Sequence, residues 1–226
     1  MWQTILGILV TAVLGTVLGR RLYLRREKQK AAPLTFFKDA AELLADAAIS
    51  PGEAAGTMVL NGYFNGQPVQ VKAVTDTLAL RKLPSLWLMV TLPGALPLVA
   101  TFDLMMRPGG PTTFSNFDHL PATLATPPDF PSNAVIRSDD PGGVVPNHVV
   151  APHLQPFFET SAKELLITPK GLRMVVLLAQ ADRARYGVLR QADFGDQILD
   201  PGQLEDIIKR LLALRTDILN WHGTAA

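Results

Sequence analysis

The chain contains no cysteine. That removes disulfides, thiolate catalysis, iron–sulfur clusters and cysteine-ligated zinc together. It also lacks a Gly-x-Ser-x-Gly elbow, a phosphate-cradling glycine loop and a dinucleotide fingerprint. Beyond residue 31 it carries fifteen basic residues against nineteen acidic ones and no basic patch. Nucleic-acid phosphates demand clustered Lys and Arg, so a nucleic-acid partner is not expected. Finally, the first nineteen residues contain no charged side chain at all.

Few of the remaining polar residues form a pattern with chemistry in it. Four histidines are present, His119, His148, His153 and His222. His148 and His153 lie five apart with Pro152 between them, whereas a helical metal pair needs a four-residue spacing on one face. Asp139-Asp140 precedes Pro141-Gly142-Gly143 but lacks the alternating oxygen ligands of a calcium loop, so an acidic turn is expected there. The expectation is a protein that is not an enzyme, with no catalytic, cofactor-binding or metal-binding residue.

The charge-free opening is the strongest positive signal. A helix over residues 2–19 would be about 27 Å long at roughly 1.5 Å per residue, close to a hydrocarbon core of about 30 Å. Six bases follow within residues 20–30 against one acid, Glu27, and none precedes the run. A secretory signal carries its positive charges before the apolar stretch, so this order argues for a retained anchor. The positive-inside rule places the N-terminus outside and the rest of the chain in the cytoplasm. Trp2 and Tyr23 suit the two interfaces, and Arg20, Arg21, Arg25 and Arg26 suit anionic lipid headgroups. Gly7, Thr11, Gly15 and Gly19 recur every four positions, a face on which two helix backbones can approach closely. The expected partner of that face is another membrane subunit or a second copy.

The sequence thus divides into a transmembrane helix at 1–19, a basic juxtamembrane linker at 20–34 and a cytoplasmic domain at 35–226. In that domain Thr35 caps a predicted helix over 36–48, with Phe37, Ala40, Ala41, Leu44 and Ala48 on one face. Strands at 57–64 and 67–75 flank Asn65-Gly66, a strong two-residue hairpin signal. A second hairpin is predicted from strands at 86–92 and 98–106. Prolines and paired glycines crowd 107–152, leaving room only for a short edge strand at 133–137. A segment that long and irregular is expected to be functional, and it is the predicted partner-contacting surface. A short helix at 153–160, strands at 164–168 and 172–179 around Pro169-Lys170-Gly171, and a strand at 186–192 follow. Asp200-Pro201-Gly202-Gln203 opens a final helix to about residue 221. Its buried face is Leu204, Ile207, Ile208, Leu211, Leu212, Ile218 and Leu219, interrupted by Arg215. That arginine either snorkels or makes a buried ion pair.

The succession Asn61-Gly62-Tyr63-Phe64-Asn65-Gly66-Gln67-Pro68-Val69, then Ala134-Val135-Ile136-Arg137-Ser138-Asp139-Asp140-Pro141, then Glu164-Leu165-Leu166-Ile167, loosely resembles a widespread class of uncharacterised bacterial membrane-tethered α+β domains. The resemblance covers roughly residues 55–222 and implies an α+β fold without an activity or site residues. The expected architecture is one transmembrane helix, then a mainly antiparallel sheet with the long C-terminal helix packed on it. The expected role is a non-catalytic accessory or assembly subunit of an inner-membrane complex. The alternative is a tethered binding module for a small ligand or a lipid headgroup, with an apolar pocket between sheet and helix.

Overall fold

Among the described residues nine strands form one sheet, and every pairing in it is antiparallel. The structure, a computed structural model, describes residues 20, 35–52, 57–76, 83–159, 161–183, 186, 192 and 194–225. In chain order the strands are β1 (Ala45–Pro51), β2 (Met58–Phe64), β3 (Gln67–Asp76), β4 (Ser85–Pro93), β5 (Phe102–Met106), β6 (Ala122–Leu124), β7 (Ala134–Ser138), β8 (Ala162–Thr168) and β9 (Gly171–Gln180). Their order across the sheet is β1-β2-β3-β4-β9-β8-β5-β7-β6. Among the described residues the short helices α1 (Lys38–Ala41), α2 (Asn147–Val150) and α3 (Gln155–Phe158) precede the long α4 (Pro201–Ala225). The α+β class expected from the sequence is therefore the observed one.

The β2–β3 hairpin turns on Asn65 and Gly66, at φ 50° and 77°. Two consecutive positive φ values match the right-handed twist of the flanking strands, which is why this dipeptide specifies the turn. Phe64 then faces Gln67 and Leu60 faces Val71. The α4 start is equally local. The Asp200 carboxylate accepts from the Gly202 N–H at 3.3 Å and the Gln203 N–H at 3.0 Å, satisfying two donors that the helix leaves open. Leu204, Ile207, Ile208, Leu211, Leu214 and Ile218 are its buried face. Leu219 is 43% exposed, and Leu214 takes its place on that face. α4 packs on β4 and β9, with α1 and α2 beside it.

Three predicted elements are corrected. The helix expected over 36–48 stops at Ala41. Phe36, Phe37, Ala40 and Leu44 do bury together, but from Ala45 the chain pairs with β2 instead. Alanine favours helix only weakly, and an open strand edge outweighs that preference. The entry is irregular: Asp46 sits at φ 52°, and the register shifts between Ala45 and Ala48. Gly62 makes the crossing possible, since a Cβ there would lie 2.8 Å from the Leu44 Cβ. The second correction concerns β4 and β5, which do not form a hairpin. β4 pairs with β3 and β9, while β5 pairs with β8 and β7. The connector between them crosses the β8–β9 turn, with the Gly94 N–H donating to the Lys170 carbonyl and the Leu96 N–H to the Pro169 carbonyl, both at 2.9 Å. Third, β7 is not the edge, because the three-residue β6 lies outside it.

The sheet buries both faces. α4, α2 and α3 cover the inner face, where Leu60, Leu88, Leu104, Leu165 and Ile167 are fully buried. On the outer face Val74, Met89, Met105 and Val175 pack under Phe114 and Phe117, which come from the proline-rich segment. The 107–152 region is thus anchored through its aromatic side chains and contains β6, β7 and α2. Tyr186 is helical, its N–H donating to the Asp182 carbonyl at 2.9 Å; the rest of the strand predicted at 186–192 falls almost wholly outside the described residues.

The β8–β9 turn leaves no room at Gly171. Its φ is 142°, and a Cβ would meet the Leu92 carbonyl oxygen at 2.3 Å. Gly171→Ala is therefore expected to lower stability by about 2 kcal/mol or more, through backbone displacement where β4 meets β9. Chemical denaturation of the purified protein checks it; an unchanged midpoint would contradict it.

Candidate functional site

Two acids occupy strand positions that should be apolar. Asp103 sits in Phe102-Asp103-Leu104-Met105-Met106, and Glu164 opens the run Leu165-Leu166-Ile167. In the register Asp103 faces Arg137 on one side and Leu166 on the other, while Leu166 faces Arg173. Met105 faces Glu164. Directly opposed residues share a face, and so do residues two apart. Asp103, Glu164, Arg137 and Arg173 therefore gather on the outer face, beneath the 107–121 strap.

The two acids are closed from water, while Arg137 and Arg173 are half-buried. Asp103 is 2% exposed and Glu164 is 0% exposed. Arg173 Nε lies 3.6 Å from Glu164 Oε2, an ion-pair distance beyond a good hydrogen bond. Both Glu164 oxygens and Asp103 Oδ1 are buried without a hydrogen-bond partner of standard geometry, as are the Nε atoms of Arg137 and Arg173. Burial, then the neighbouring Glu164 charge, push the Asp103 carboxyl up to about 8, with Arg173 pulling the other way. Burial raises Glu164 too, against Arg173, the Ser115 hydroxyl and Lys163. At neutral pH Asp103 keeps its proton, because two adjacent buried carboxylates cannot both ionise cheaply. The arrangement stores a proton; with oxygens this inaccessible it offers no surface to a substrate.

Arg137 turns the same cluster into a clasp. Its Nη1 donates to the Asp118 carbonyl at 3.1 Å and to the Phe117 carbonyl at 3.4 Å. Its guanidinium lies 5.1 Å from the Phe117 ring centroid, a cation–π contact. Asp139 fastens the far end, accepting from the Thr101 N–H at 2.7 Å and the Thr101 hydroxyl at 2.9 Å. Burial nudges its carboxyl up, but those Thr101 bonds and the nearby backbone N–H groups hold it below the usual range. Asp140 accepts from the Gly142 N–H at 3.0 Å. The Asp139-Asp140 pair is thus an acidic turn.

The histidines stay apart in role. His153 Nε2 lies 2.8 Å from Asp217 Oδ2, pinning the turn before α3 to α4, while His119, His148 and His222 are exposed. No metal-binding cluster occurs among the described residues. Arg215 is half-buried, its guanidinium lying against Gly94, and no carboxylate pairs with it among the described residues. Gly7, Thr11, Gly15, Gly19, Trp2, Arg21, Tyr23, Arg25 and Arg26 lie outside the described residues, and Arg20 is exposed. No helix among the described residues is long and apolar enough to cross a membrane. The acid pair was not anticipated. The available signal was a single acid in each of two largely apolar strands.

No protein-family model and no curated protein matches the chain. A solved structure, the crystal structure of the mycobacterial trehalose monomycolate transport factor A, TtfA, is similar at TM-score 0.44 and 8% identity, over 83% of this chain and 94% of that one. A likeness at that level bears on neither activity nor partners.

A carboxyl raised on folding binds its proton more tightly in the native state than in the unfolded one. Stability is then greatest below about pH 4 for this group and falls as pH rises to about 8, by up to about 1.4 kcal/mol per pH unit. Asp103→Asn should flatten that fall and raise the unfolding midpoint at pH 8 relative to the parent. Denaturation at pH 5, 7 and 9 checks it; parallel pH profiles for parent and variant would refute it. Arg215→Leu should leave stability within about 1 kcal/mol, since this cation has an exposed route and no carboxylate to lose. Loss of the folded protein would show a buried pairing instead.

Proposed function

We propose that this protein is a non-catalytic accessory or assembly subunit of a bacterial inner-membrane complex. One N-terminal helix anchors it, and the sheet domain stands in the cytoplasm to meet partners. The observation that carries the reading is the charge-free opening bordered by six bases, with Gly7, Thr11, Gly15 and Gly19 along one helical face. The domain's polar groups support it. Asp103 and Glu164 are sealed under the strap, Asp139 holds Thr101, and His153 holds Asp217. Each serves the fold's own geometry. The strap itself is held by Phe114, Phe117 and Arg137, so its outer side is a preformed surface of the kind that binds partners with little reorganisation.

The test is purification of the full chain from membranes in mild detergent, with native mass measurement of what accompanies it. A fixed-stoichiometry assembly is expected, and Gly15→Leu with Gly19→Leu should disperse most of it without unfolding the domain. Recovery of a lone monomer, or a carboxyl terminus cut by protease added outside intact cells, would overturn the reading.

A further inference from the structure

At one end of the outer face the sheet opens into a cleft of about 280 Å³ between the ends of β4, β9, β8 and β5. Two irregularities create it. The β4–β9 register slips between Leu86 and Trp87, and the β8–β9 register slips between Ala162 and Glu164. Such bulges re-aim side chains and often border binding sites. Here they bring Trp87, Lys163 and Gln180 to the rim of one hollow.

Its lining is one-sided in charge. Arg107 and Lys163 contribute two cations, and among the described residues no acid lines the cleft. The acids nearest in register, Asp76 opposite Ser85 and Glu164 next to Lys163, are buried outside the lining. Trp87 Nε1 is buried and has no acceptor. A donor left in that state costs about 1–3 kcal/mol. The indole cannot easily swing away, because its ring packs on Phe114 at 5.3 Å between centroids.

Arg107 is held open in the same way. Its backbone sits at φ 44°, a conformation a non-glycine residue adopts only when its surroundings enforce it. Here the enforcement is visible. The Arg107 N–H donates to the Asn133 carbonyl at 2.8 Å, and the Lys163 ammonium donates to the Arg107 carbonyl at 3.0 Å and to the Met106 carbonyl. The Arg107 side chain remains exposed at the mouth. Strain concentrated beside a cleft, around an exposed guanidinium, is a pattern of ligand sites rather than of surface loops.

We propose that this cleft binds a small organic anion, a carboxylate or phosphate monoester with a short apolar chain. Arg107 meets the charge, the Trp87 ring borders the site, and Leu177 and Met106 receive the apolar part. The volume lies at the lower end of ligand pockets, which run from about 300 Å³, so the recognised portion is small. Its source is either a soluble metabolite or the headgroup end of a lipid. The inference stands independently of the subunit reading above.

The full-length protein in neutral detergent, with Trp2→Phe and Trp221→Phe, leaves Trp87 as its only indole. Hexyl phosphate and hexanoate are titrated against it, followed by Trp87 emission and calorimetry. Saturable binding is expected, weakened at least tenfold by Arg107→Gln at an unchanged thermal midpoint. Ser161→Asp, which places an acid in the lining, should also weaken it at least tenfold. In proteoliposomes, a Trp87 response to phosphatidic acid but not to phosphatidylcholine, with none to the soluble probes, would assign the anion to lipid. A response to the soluble probes alone would assign it to a free metabolite. No Trp87 response to any probe, or binding indifferent to both substitutions, would overturn the proposal.

Discussion

The pairing of β4 with β9 is the contact on which the domain depends. The strands β1 to β4 form a meander of sequence neighbours, whereas β9, β8, β5, β7 and β6 form a second group in scrambled order. The two groups meet along one seam, from Ser85 opposite Gln180 to Pro93 opposite Gly171. Leu88, Val90, Leu172, Met174 and Val176 line that seam on the inner side, where α4 covers it. Partners in the seam are 78 to 95 residues apart, so chain-closure entropy opposes this pairing more than any hairpin. The apolar helix face of α4 closes over it and offsets that cost.

The outer face obeys a different logic. Each proline in this long segment removes one backbone donor and fixes φ, so it can lie on a sheet without adding to it. What holds it is aromatic and cationic: Phe114 on Trp87, and Arg137 on Phe117 and its carbonyl. Arg137 and Arg173 in turn stand beside the acids Asp103 and Glu164. Buried charge of this kind contributes little net stability, but removing one partner strands the others. It ties the strap and four strands to one arrangement.

Features that were legible in the sequence are those encoded within a few residues. Asn65-Gly66 carries its own turn geometry, and Asp200-Pro201-Gly202-Gln203 carries its own cap. The β8–β9 hairpin is local for the same reason. What failed was neighbour choice. Leu98 onward looked like the return strand of β4 because it came next, yet β8 and β9 occupy the position between them. Residues 45–48 suit the end of a helix because alanine is the common filler of helices; the edge of β2 instead makes Ala45–Pro51 a strand. The acid pair joins residues 61 positions apart through the β5–β8 register, which no spacing within either strand reveals.

The outermost strand on one side has a consequence of its own. β1 kinks at Asp46, loses step with β2 at its start, and finishes on a proline that cannot donate. On the opposite border β6 offers only three residues. Neither margin is a straight template for a foreign strand, which is how native sheets avoid fibrillar growth. Many copies can therefore crowd together without their sheets fusing edge to edge.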